Sequence, residues 1–157
     1  MYFERLKSLG DFPIITKTYP NEREALIEIG KRAPRNEVAR FILSDLDKAI
    51  EMMQNIAPSG GKNRLSKDCA ILLKSRVALY EGSWLKNFKG TAFVPNGPGW
   101  PGANKDYNAN YSFKSGSIEK ESEFFFDEAI KAAQIIAEKY NTLTANTGVF
   151  PQSSSEP

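Results

Sequence analysis

A loop in the second half of the chain carries the residues whose types and spacing are best suited to ligand binding. Trp100, Tyr107 and Tyr111 are aromatic, and Asn108 and Asn110 stand among them. Aromatic rings bury flat apolar surface, whereas amide groups both donate and accept hydrogen bonds. We expect these five residues to form a ligand-binding site. The alternative is that the rings only hold the loop against neighbouring helices.

The composition removes several kinds of active-site chemistry. The sequence contains no histidine, so it lacks imidazole acid–base catalysis and imidazole metal ligands. Its one cysteine, Cys69, cannot form an intrachain disulfide or a zinc-binding cysteine cluster, and we expect it in the core. With 19 acidic residues, some carboxylate pair is inevitable and does not indicate a glycosidase. We therefore predict no enzymatic activity, no catalytic residues, no metal and no cofactor.

The charged residues do not indicate a nucleic-acid partner. There are 21 basic and 19 acidic residues, without the concentrated basic stripe that nucleic acid requires. Opposite charges alternate in Glu119–Glu121, which predicts a solvated helix face. Arg76 is expected to form a structural ion pair with Asp45 or Asp127. No run approaches the roughly 20 apolar residues of a membrane span.

The spacing of apolar residues predicts an all-α fold around the loop. Gly10 is suited to end the first helix. Asn36 and Ser66 are the expected N-caps of two long helices. The segment between residues 88 and 118 is rich in Pro, Gly and Asn and is expected to be irregular. The predicted helices cover residues 1–9, 21–29, 36–57, 66–87 and 121–140.

The same spacing predicts which helix faces are buried. The helix that begins after Ser66 is expected to be the most buried, and the last helix carries a second apolar stripe. The face of the former is Cys69, Ala70, Leu73, Val77, Tyr80 and Trp84, widened by Leu72 and Leu79. The stripe of the latter is Phe126, Ala129, Ile130, Ala133, Ile136, Ala137 and Tyr140.

Two helix pairs share a local pattern. Asp47–Glu51 aligns with Asp127–Lys131, and Tyr2–Leu6 aligns with Tyr80–Trp84. The chain therefore reads as helix A, a long excursion and helix B, repeated once with a period of about 80 residues. The helices resemble those of the tetratricopeptide repeat, but long excursions replace the short turn between them.

Four stretches, taken in order, carry a more specific resemblance. They are Tyr2–Leu6 with Gly10–Ile15, Arg35–Ile50, Arg64–Gly82, and Phe126–Ile130. Together these stretches resemble the SusD/RagB family, the glycan-binding outer-membrane lipoproteins of Bacteroidetes. The resemblance covers roughly residues 1 to 140, and it implies an all-α fold of tetratricopeptide-like helical pairs with long inserted loops. We expect residues 1–140 to be an internal portion of such a protein and residues 141–157 to be a disordered tail.

The resemblance implies a function at the cell surface. A glycan, as an oligosaccharide or polysaccharide, would be bound there and delivered to a TonB-dependent outer-membrane transporter. The membrane would be reached through a lipid anchor that this chain lacks. The sugar would contact Trp100, Tyr107, Asn108, Asn110 and Tyr111, although family binding residues also come from regions missing here. The alternative is a tetratricopeptide-like scaffold that binds a peptide or protein partner.

Overall fold

The computed structural model describes residues 1–55 and 64–142, and this part of the chain is mostly helical. It has no β-strand, only an isolated antiparallel bridge between Phe12 and Ala33. The all-α prediction is therefore confirmed. No helix among these residues has the length and apolarity to cross a membrane. The helices are α1 (Tyr2–Leu9), α2 (Arg23–Ile29), α3 (Arg35–Met52), α4 (Lys67–Asn87) and α5 (Ile118–Lys139).

The helix ends follow the sequence at some positions and depart from it at others. Gly10 ends α1 as predicted, with a positive φ of 69° and its N–H donating to the Leu6 carbonyl at 3.0 Å. Ser66 occupies the N-cap of α4. The prediction for Asn36 is wrong, because α3 begins at Arg35 and Asn36 lies wholly buried in its first turn.

The long segment between α4 and α5 is irregular, as its Pro and Gly residues predict. It contains two short 3-10 helices, Pro101–Asn104 and Asp106–Asn108. It ends at Ser117, whose hydroxyl accepts the backbone N–H of Lys120 at 3.3 Å and caps α5. Because of this cap, α5 begins three residues before the predicted start at Glu121. The predicted loop at Pro58–Gly61 and nearly all of the predicted tail lie outside the described residues.

Helices that follow one another along the chain pack side by side. Apart from the short α2, each helix contacts the next, and α4 and α5 share the most extensive interface. Their apolar side chains form one core cluster, so the helices form a single packed unit. The wholly buried apolar side chains of this cluster are Leu6, Val38, Ala39, Val77, Ala78, Leu85 and Phe125.

The predicted burial of α4 is partly wrong. Cys69 is exposed, and Leu72 and Leu79 are exposed by 52% and 53%. The buried face instead includes Glu81 and Gly82. The helix turns this face inward because Glu81 has a buried ionic partner and Gly82 lets α5 approach closely. Apolarity alone could not predict either contact.

The apolar stripe predicted for α5 is also partly wrong. Ala129 is buried as predicted, but Ile130 and Tyr140 are exposed by 62% and 57%. The inward face is set by Glu121, Ser122 and other residues at helical spacing. The Ser122 hydroxyl donates to the Gly82 carbonyl of α4 at 2.8 Å, which fixes this rotation. The inward residues are Glu121, Ser122, Phe125, Ala129 and Ala132.

The ion pairs differ from those predicted. Among the described residues, Arg76 is exposed and pairs with neither Asp45 nor Asp127, and Asp45 lies 3.4 Å from Lys48 instead. Glu121 is not solvated as the Glu119–Glu121 pattern predicts, since its side chain is wholly buried. Because a buried carboxylate requires a partner, the charge that sequence reasoning assigned to the surface belongs to the core.

Candidate functional site

A cavity of about 720 Å³ opens beside the segment between α4 and α5. The cavity is lined by the C-terminal end of α1 with the residues that follow it and by the segment around the two 3-10 helices. Arg35 at the start of α3 and Trp84 of α4 also line it. The lining residues that bear on ligand binding are Lys7, Gly10, Asp11, Arg32, Arg35, Trp84, Phe93, Trp100, Lys105, Tyr107 and Asn108.

Trp100 anchors the long segment to the helices. Its ring is 3% exposed, and its indole Nε1 donates to Oδ2 of Asp11 at 2.7 Å. The other carboxylate oxygen of Asp11 accepts the backbone N–H of Arg35 at 2.9 Å. Burial raises the pKa of Asp11, while the hydrogen bonds from Trp100 and Arg35 act against that rise. Asp11 therefore joins the segment, the end of α1 and the start of α3.

Arg35 forms a buried ion pair behind this anchor. Its Nε and Nη2 donate to the two carboxylate oxygens of Glu81 at 2.9 and 2.8 Å. The guanidinium lies 4.1 Å from the ring centroid of Trp84, whose indole nitrogen donates to the Phe93 carbonyl at 3.0 Å. Burial raises the pKa of Glu81, and the adjacent Arg35 opposes this effect. The ion pair joins α3 to α4, and its Arg35 also lines the cavity.

Three of the five predicted site residues meet at the cavity. Trp100 contributes little ring surface, because it is almost wholly buried. Asn108 is also buried, and its amide donates to the Gly102 carbonyl at 3.2 Å. Tyr107 is 43% exposed, and its hydroxyl accepts the backbone N–H of Arg32 at 3.4 Å. Tyr107 is therefore the predicted aromatic residue with the most surface left for a ligand.

The other two predicted residues do not line the cavity. Asn110 is exposed elsewhere on the segment. The Tyr111 hydroxyl donates to Oδ1 of Asn36 at 2.7 Å, and its ring lies 5.7 Å from that of Trp100. Burial raises the pKa of Tyr111. For Tyr111, the geometry supports the anchoring alternative.

A second ion pair, between the partly buried Arg40 and the wholly buried Glu121, lies next to Tyr111. Asn36 donates to Glu121 at 3.0 Å, and Arg40 donates to the same carboxylate at 2.6 and 2.9 Å. The backbone N–H of Ser115 adds a fourth hydrogen bond at 3.1 Å. Burial alone would raise the pKa of Glu121, but these donors hold it at about 2. The carboxylate fixes the end of the irregular segment against α3.

Sequence reasoning missed several residues of the cavity. Arg35 and Glu81 are 46 positions apart, so no local motif marks them as partners. Arg32 and Lys105 look like ordinary surface residues in the sequence, and no local pattern distinguishes Phe93 from a core residue. Asp11 accepts the backbone N–H of Arg35 at the start of α3, where N–H groups lack partners within the helix, but no local pattern indicates this pairing. Among the described residues, no group of three or more His, Cys, Asp and Glu residues could hold a metal ion.

Replacing Gly102 by alanine is expected to displace Trp100. A Cβ at this position would lie 2.2 Å from the Trp100 ring, far inside van der Waals contact. We expect the indole N–H resonance of Trp100 to shift as its hydrogen bond to Asp11 is lost. The measurement is a two-dimensional NMR spectrum of the folded variant, with Trp84 as an internal reference. Ala103→Ser, at the exposed neighbouring position, is the control; an unchanged Trp100 resonance in Gly102→Ala would contradict the prediction.

The fold and site together define a mostly helical protein with a cavity lined by aromatic and cationic side chains. No protein-family model matches the chain, and neither the curated proteins nor the solved structures contain a significant match.

Proposed function

We propose that this protein binds an oligosaccharide segment of a glycan in the cavity beside Tyr107. The observation that supports this is the combination of size and lining. A volume of about 720 Å³ lies within the usual range for small-ligand sites. Phe93 and Tyr107, exposed by 62% and 43%, offer ring surface for the C–H faces of a sugar. Lysine and arginine side chains on the same walls can donate to hydroxyl groups.

The residues of the cavity divide into two roles under this proposal. Tyr107 and Phe93 contact the sugar directly. Trp100, Asn108 and Asp11 hold the wall that presents them, because their polar atoms already bond within the protein. No catalytic residue is proposed. The remaining parts of the proposal rest on the sequence resemblance to SusD/RagB proteins: a location at the bacterial outer-membrane surface, and delivery of the glycan to a TonB-dependent transporter.

Binding of an oligosaccharide panel by the full chain tests the proposal. We expect Tyr107→Ala to weaken the affinity for the best ligand about tenfold, since stacking on one aromatic ring contributes on the order of 1 kcal/mol or more. Isothermal titration calorimetry measures the change. Tyr140→Ala is the matched control, because Tyr140 is exposed by 57% and lies outside the cavity. Unchanged affinity in Tyr107→Ala, or no binding of any glycan, would refute the assignment.

A second candidate function is suggested by exposed apolar residues of α4 and α5 that do not line the cavity. Leu72 and Leu79 of α4 and Ile130 of α5 are exposed, and Phe126 lies against Gly82 between the two helices. Exposed apolar surface of this kind suits a protein partner. The double change Leu79→Asp with Ile130→Asp would abolish such binding and leave glycan binding intact. Tyr107→Ala would have the opposite effect, so the two variants distinguish the functions.

A further inference from the structure

The cavity has more basic than acidic side chains. Among the described residues that line it, Lys7, Arg32, Arg35 and Lys105 are cationic and Asp11 is the single acid. Two further acids pair with these cations: Glu4, which is exposed, with Lys7, and Glu81, which is buried, with Arg35. Even with those two included, four cations face three carboxylates, which leaves an excess of one positive charge.

Asp11 has little remaining capacity to accept hydrogen bonds from a ligand. Both of its carboxylate oxygens already accept hydrogen bonds, from the Trp100 indole and the Arg35 backbone. Arg32 and Lys105, by contrast, are exposed and form no ion pair with the described residues. They approach the cavity from different walls, the residues before α3 and the segment after α4. The charge of Asp11 remains and acts on Arg32, but the lining side chains still carry a net positive charge.

Arg35 adds a fixed donor inside the cavity. It bonds Glu81 through Nε and Nη2, which leaves Nη1 without a hydrogen bond to the described residues. Arg35 lines the cavity, and its Nη1 lies beside Gly10, a second lining residue, where a Cβ would stand 3.8 Å away. The residue as a whole is 3% exposed and held by Glu81 and Trp84, so this donor is preorganised.

From this arrangement we infer that the cavity selects an acidic oligosaccharide, one whose sugar carries a carboxylate. The inference rests on the proposed function and specifies its ligand class. The carboxylate would accept from Nη1 of Arg35, while Arg32 and Lys105 attract it from the rim. The fork of Arg35 is occupied by Glu81, so the ligand would receive a single charge-assisted hydrogen bond, a kind about twice as strong as a neutral one. The rings of Tyr107 and Phe93 would contact the rest of the sugar.

The test compares uronate oligosaccharides with their own methyl esters. Oligomers prepared from pectate, alginate and hyaluronan are titrated into the full chain at neutral pH, each beside its esterified form, which keeps the sugar and removes the charge. We expect at least one acid to bind about tenfold more tightly than its ester, and the difference to shrink in high salt. The double variant Arg32→Gln with Lys105→Gln should bring acid and ester close together. Lys120→Gln, at an exposed position of α5, should not.

The outcomes separate this inference from the function on which it rests. Equal affinity for every acid and its ester would overturn the inference and leave oligosaccharide binding in place. Binding of neutral oligosaccharides such as maltotriose, with none of the uronates bound, would do the same. An acid preference that persists unchanged in the double variant would overturn the assignment to this cavity. If no oligosaccharide of either kind binds, the proposed function itself fails.

Discussion

Replacing Glu121 by alanine is expected to lower the free energy of unfolding by about 3 to 5 kcal/mol. The carboxylate accepts hydrogen bonds from Asn36, Arg40 and Ser115, and its side chain is wholly buried. Truncation leaves the NH2 group of the wholly buried Asn36 without its acceptor and the Arg40 guanidinium without its counter-charge. Loss of one partner of a buried pair is far more damaging than loss of a surface charge.

Urea unfolding followed by circular dichroism measures this change. Glu123→Ala is the matched control, because Glu123 is exposed two positions along the same helix. Its effect on the free energy of unfolding should stay within about 0.5 kcal/mol. A similar small effect for Glu121→Ala would mean that the buried pair does not hold α3 against the segment before α5.

Glu121 also gives stability a defined dependence on pH. Its pKa falls from an ordinary value of 4.5 to about 2 in the folded state, because its donors outweigh burial. The stabilising contribution is therefore complete above the unfolded pKa and is lost as the pH falls from about 4.5 towards 2. We expect unfolding measured between these limits to show a slope that is reduced in Glu121→Gln. An identical slope in the variant would assign the acid sensitivity to other carboxylates.

The sequence predicted where the helices begin and end better than which of their faces are buried. Helical spacing and the ends at Gly10 and Ser66 gave α1 and α4 nearly to the residue, since these depend on local backbone preferences. The buried faces depended on polar contacts between distant positions. Glu121 was expected on a solvated face and Glu81 was not singled out, yet each carboxylate is wholly buried against an arginine from α3. An amphipathicity argument counts apolar residues only, so it rotated α4 and α5 towards Leu72 and Ile130, which are exposed.

The candidate site was predicted in part for the same reason. The irregular segment is identifiable from its Pro, Gly and Asn residues, so the sequence led to the right region of the chain. Which rings face a ligand depends on tertiary hydrogen bonds. Trp100 bonds Asp11 across 89 positions, and Tyr111 bonds Asn36 across 75. Both rings are thereby committed to anchoring, and Tyr107 is left as the exposed aromatic of the predicted set.

Replacing Glu81 by leucine is the second change with a large expected effect. It should lower the free energy of unfolding by about 3 to 5 kcal/mol. The substitution nearly preserves volume but leaves Arg35, 3% exposed, without its counter-charge. The double change Arg35→Met with Glu81→Leu removes both charges and should recover much of that loss, because neither charge then remains buried without its partner. Thermal and urea unfolding of the single and double variants measure the coupling. Arg76→Met is the control for replacing an arginine that has no buried partner, because Arg76 is exposed on α4.

The same pair of variants connects stability to binding. If Arg35 only holds α3 against α4, the recovered double variant should bind acidic and neutral oligosaccharides with unchanged relative affinity. If Nη1 of Arg35 also reaches the ligand, the double variant should be stable and yet lose its preference for the acid over the ester. Equal destabilisation in the single and double variants would contradict the buried-pair argument, because it would assign the loss to packing around Trp84 rather than to an unpaired charge.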